Sequence, residues 1–137
     1  MDLHGRGCLH AEHAARRVTF PPIGCRQERL GRSFINPRAL EELVRTQIPF
    51  RRLHDNVDTG VVQALVVAAL NIANTKTTMF AEVAPAARFV PSRDPRRQGS
   101  LTQIECGHVL ASAAILLVFP ARRIGSEYYC DGGVLMR

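Results

Sequence analysis

Ala64-Leu65-Val66-Val67-Ala68-Ala69-Leu70-Asn71-Ile72 is the segment that most limits what this chain can become. It is apolar at every position but Asn71, too short to cross a membrane, and has the pattern of a strand covered on both faces. Asn74-Thr75-Lys76 supplies turn chemistry directly after it. Thr77-Thr78-Met79-Phe80-Ala81-Glu82-Val83 then reads as the return strand, rich in β-branched and aromatic side chains. A hairpin buried on both faces needs layers around it, so the fold class is α/β. Such strands also need more sheet and more helix than the rest of the chain offers, which predicts an incomplete sheet.

The flanking signals divide the chain at about residue 34. Residues 1–33 hold scattered Gly, Pro, Arg and His with no sustained period, and Pro21-Pro22 and Gly24 interrupt whatever begins there. This stretch is expected to be disordered or spurious, and 34–137 to be the folded unit. Asn36-Pro37 reads as a helix start, with Glu41-Glu42 near the positive end of the helix dipole. Leu40, Leu43 and Val44 give that helix one apolar face up to about Gln47, before Pro49. His54 to Gly60 reads as a polar stretch, and Pro85 to Ser100 as a loop without a strong element. A helix is expected from about Gln103 to Ile115. Two short strands flanking Gly125-Ser126 follow, because a two-residue turn that starts with glycine suits a hairpin.

A formal net charge of +6 raises nucleic acid as a partner. The arginines fall in distant pairs, however, and only 6% of residues are aromatic, too few for a stacking platform. Dedicated nucleic-acid binding is therefore not expected. Attraction to anionic lipid headgroups fits better, and a solvated basic surface best. Cys8, Cys25, Cys106 and Cys130 form no Cys-x-x-Cys pair, and a chain this long needs no disulfide framework. Cys106 and Cys130, inside apolar elements, read as small buried hydrophobes. His4, Cys8, His10, His13 and Cys25 have zinc-ligand chemistry but match no common tetrahedral spacing, so no metal site is expected. No signal peptide or membrane-span pattern is present, which favours the cytoplasm.

The end of the chain carries the most specific signal. Ile104-Glu105-Cys106-Gly107-His108-Val109-Leu110-Ala111-Ser112-Ala113-Ala114-Ile115 leads through Phe119-Pro120 to Tyr128-Tyr129-Cys130-Asp131-Gly132-Gly133. Asp-Gly-Gly alone is weak, since aspartate and glycine suit any turn. The helix and Phe-Pro ahead of it make the block specific. Phe34-Ile35-Asn36-Pro37 and the Ala64–Phe80 hairpin precede it in the expected order. Together these blocks resemble the catalytic-aspartate portion of a bacterial patatin-like phospholipase domain, over about Phe34 to Gly133.

That resemblance implies a partial three-layer α/β/α domain and a fragment of a lipid acyl hydrolase of the serine–aspartate dyad type. It implies Asp131 as the proton acceptor, with Gly132 and Gly133 completing the motif, and no cofactor. The substrate implied is a lipid or other acyl ester, and peripheral membrane contact is left open. The sequence has no Gly-x-Ser-x-Gly elbow to hold the serine, nor a glycine-rich oxyanion loop, so the chain alone is expected to be inactive. The alternative is a noncatalytic relic that keeps a lipid- or protein-contacting surface. Ser112 between alanines, Ser126 in a turn and His108 in the helix read as structural rather than as substitutes for the missing nucleophile or base.

Overall fold

A computed structural model describes residues 29–30, 37–115 and 118–135. The order is β1 (Arg29–Leu30), α1 (Arg38–Gln47), α2 (Phe50–Asp58), β2 (Ala64–Asn71), β3 (Thr77–Val83), β4 (Arg97–Leu101), α3 (Cys106–Ser112), β5 (Ala121–Ile124), β6 (Glu127–Cys130) and a 3-10 turn at Gly132–Leu135. The strands form one mixed sheet in the order β1-β5-β6-β2-β3-β4. Every neighbouring pair is antiparallel except β3 and β4. With its helices the sheet has α/β character.

The β2–β3 hairpin is the spine, in register from Ala64↔Val83 to Leu70↔Thr77. Its turn is closed by Asn71, whose Oδ1 accepts the N–H groups of Ala73 and Asn74, and Thr75 takes a positive φ of 56° there. Gly125, at φ +62°, closes the β5–β6 hairpin as expected. Ala69, Phe80, Ile104, Ala111 and Tyr129 make the central core, with Leu65 and Val67 packed against it. Ile104 alone, 1% exposed, contributes about 1.5–3 kcal/mol through burial. A second cluster of Val44, Cys106 and Leu110 fastens α1 to α3.

Five expectations need correction. β2 is covered on both faces only at its end: Ala64, Val66 and Ala68 alternate to an exposed side, whereas Ala69, Leu70 and Asn71 are buried in succession. His54 to Gly60 is not merely a polar stretch: its first residues complete α2, whose Phe50, Leu53 and Val57 repeat at spacings of three and four that the sequence reading passed over. The loop after Pro85 ends in a strand, β4, which acquires its conformation by pairing with β3 from Thr77↔Arg97 to Ala81↔Leu101. Helix α3 is shorter than expected, because Glu105 caps it and Ala113 ends it. Leu43 is 58% exposed, so the buried face of α1 rests on Val44 and half-buried Leu40. The capping role of Asn36 lies outside the described residues; Pro37 occupies the N-cap with no side-chain bond. β1 lies ahead of the boundary at residue 34.

Candidate functional site

Asp131 is placed by the two elements on either side of it. Strand β6 delivers it, held on β2 by Leu70↔Cys130 and Asn71↔Tyr129. Its own N–H donates to the Ala114 carbonyl at 2.9 Å, tying the strand end to the exit of α3. Beneath it Cys130 is fully buried with Leu70, Ala114 and Ala121. Burial, with the Asp131 charge as a smaller cause, pushes the Cys130 thiol pKa up, so this cysteine is inert packing.

The carboxylate is half-buried, and Oδ1 accepts the Gly133 N–H at 3.0 Å, opening the 3-10 turn. Neither Gly132 nor Gly133 has a positive φ, so the motif's glycines are not required by backbone strain. A Cβ on Gly133 would lie 3.4 Å from Oδ2 and 3.6 Å from Oδ1, in ordinary van der Waals contact. At Gly132 nothing lies within 4 Å, so local space does not demand glycine at either position. A carboxylate fixed through one oxygen and its own backbone can take a proton from a hydroxyl brought against it.

Polar groups around β6 stiffen this arrangement. Glu127 accepts from Asn71 Nδ2 and, at 3.0 Å, from the Tyr129 hydroxyl. Burial, followed by the hydrogen bond to Glu127 and then its charge, raises the Tyr129 pKa, so the phenol remains a donor. The network locks the short β2–β6 pairing. Sequence reasoning missed it, because Asn71 and Glu127 lie 56 residues apart; the available signal was only that Asn71 is the one polar residue in an apolar run. It missed also His54, whose Nδ1 lies 3.0 and 2.9 Å from the two oxygens of Glu82 while Glu82 accepts the Ile104 N–H. Two residues 28 apart on different elements give no local signal.

The other candidates are dispersed. His108 is 3% exposed, its ring set edgewise to Phe80 at 4.7 Å, and its Nδ1 accepts the Glu105 N–H at 3.0 Å. Burial lowers its pKa to about 4, so it is a neutral capping residue rather than a base at neutral pH. Ser112 is the last residue of α3, and Ser126 is exposed in the hairpin turn. Among the described residues no group of three His, Cys, Asp or Glu could hold a metal ion, and the His4–Cys25 cluster lies outside them. Nor is any described helix long and apolar enough to cross a membrane. Cys106 is buried in the α1–α3 cluster as the sequence suggested, but it is disulfide-bonded, whereas Cys130 is free.

In comparison with known proteins, the family described as Patatin-like phospholipase matches residues 15–137, from within the first segment to the last residue. No curated protein and no solved structure matches the chain.

Proposed function

Because the chain belongs to the patatin-like phospholipase family, a family of lipid acyl hydrolases, we propose that it carries the aspartate half of a serine–aspartate ester-hydrolysing site. Asp131 is the proton acceptor, and Gly132 and Gly133 shape the turn around it. The observation that supports this most is the fixing of Asp131 at the end of β6: its N–H donates to the Ala114 carbonyl and its Oδ1 accepts the Gly133 N–H. In the reaction the carboxylate takes the proton of a serine hydroxyl as it attacks the acyl carbon. An oxyanion hole stabilises the resulting charge, at about 2.7–4 kcal/mol per donor. The substrate class is a lipid or other acyl ester.

The sequence contains no Gly-x-Ser-x-Gly elbow, so residues 1–137 by themselves are proposed to be inactive. The same absence favours a second reading, a noncatalytic family member that keeps only a contact surface. Sequencing the DNA upstream of the Met1 codon for such an elbow, then expressing the joined frame, separates the two. With an elbow present, Asp131→Asn should lower turnover of a chromogenic ester by at least about a hundredfold while leaving the fold intact. Near-full turnover in Asp131→Asn would refute the dyad. A joined frame with no serine and no turnover would leave the noncatalytic reading standing.

A further inference from the structure

The loop between β3 and β4 presents an apolar tip inside a ring of positive charge. Phe89 folds back so tightly on Gly99 that a Cβ there would sit 2.6 Å from its ring. Asp94 stiffens the far end, accepting the Arg96 N–H on its side chain and the Arg97 N–H on its carbonyl, both at 2.9 Å. This loop is therefore held on the sheet rather than loose. Val90, next to the anchored ring, is 74% exposed. With Phe89 it walls an open groove of about 190 Å³, floored by Val66 and Met79 of the uncovered sheet face.

Residues 84–97 contain four arginines and one aspartate, a net charge of +3. Asp94 lies 3.6 Å from Arg97, whereas Arg88, Arg93 and Arg96 are exposed and have no ion-pair partner among the described residues.

We propose that this loop and the groove behind it form a docking surface for an anionic lipid bilayer. An aliphatic side chain raised among cations suits the boundary between headgroups and acyl chains: Val90 enters the apolar layer and the guanidiniums meet phosphate. Nucleic acid fits less well, because the loop's aromatic ring is turned onto Gly99 and unavailable for stacking. A second copy would bring two loops of charge +3 face to face, an unfavourable contact. Binding is separate from hydrolysis, so its failure and that of the proposed dyad are distinguishable.

The chain has no tryptophan, so Val90→Trp provides a single reporter. Mixed with phosphatidylglycerol–phosphatidylcholine vesicles, its emission should shift to the blue, less so as salt rises, and not at all with pure phosphatidylcholine. Leu43→Trp, at an exposed position of α1, should keep the emission of a water-exposed indole under the same conditions. Arg88→Gln, Arg93→Gln and Arg96→Gln combined, all at exposed positions, should weaken vesicle partitioning about a hundredfold, or roughly fivefold per arginine. Absence of binding, equal binding to neutral vesicles, equal shifts from both reporters or unchanged partitioning of the triple variant would each overturn the proposal. A shift that rises with protein concentration in the absence of vesicles would overturn it in favour of self-association.

Discussion

Acidification should weaken the fold through His108, and the size of the effect follows from where that ring sits. The imidazole is 3% exposed and its pKa is lowered from 6.5 to about 4 by burial. Nδ1 already accepts the Glu105 N–H, so protonation there also breaks a bond of the α3 capping box. The folded pKa lies below the unfolded one, so the unfolded chain binds the proton first as pH falls. The stabilising contribution is therefore whole above about pH 6.5 and is lost progressively down to about pH 4. At about 1.36 kcal/mol per pH unit, the interval amounts to roughly 3 kcal/mol. His108→Gln isolates this contribution, because glutamine at the same helix position preserves a capping box yet does not titrate. The lost edge contact with Phe80 is a pH-independent offset. Urea unfolding of both proteins from pH 7 to pH 4 should show their stability difference shrink by about 3 kcal/mol. A difference constant within about 0.5 kcal/mol, or a His108 ring proton titrating near 6.5 by NMR, would refute the argument.

Three further outcomes are expected. Arg122 is 2% exposed, is bonded to Glu41 at 2.6 Å, and leaves Nη1 without an acceptor. Glu41→Gln should therefore cost about 3 kcal/mol in urea unfolding, while Glu41→Leu with Arg122→Met recovers most of it in a double-mutant cycle. Gly99→Ala should lift the Phe89 ring off β4 and lower stability by about 1–3 kcal/mol; an unchanged urea midpoint would contradict that contact. The buried Cys130 thiol should resist iodoacetamide at pH 8 until denaturant is added, as read by mass spectrometry of the peptide.

What the sequence determined by itself is local. The apolar run at Ala64, the turn after Asn71 and the glycine at 125 carry their conformations in their own residue types, and the β2–β3 and β5–β6 hairpins formed where they pointed. Asp131 was legible only through the blocks that precede it, and its glycines were legible as a motif but not for their reason. Only the tertiary structure revealed that neither glycine takes a positive φ and that Gly133 donates its N–H to the Asp131 carboxylate. It alone decided β4 as well, since Arg-Gln-Gly-Ser-Leu has no strand period and becomes a strand through the edge that β3 offers. The His54–Glu82 and Arg122–Glu41 pairs belong to the same class. Periodicity and turn chemistry act over a few neighbouring residues, whereas an ion pair or an edge-strand pairing depends on segments that only the closed chain brings within reach.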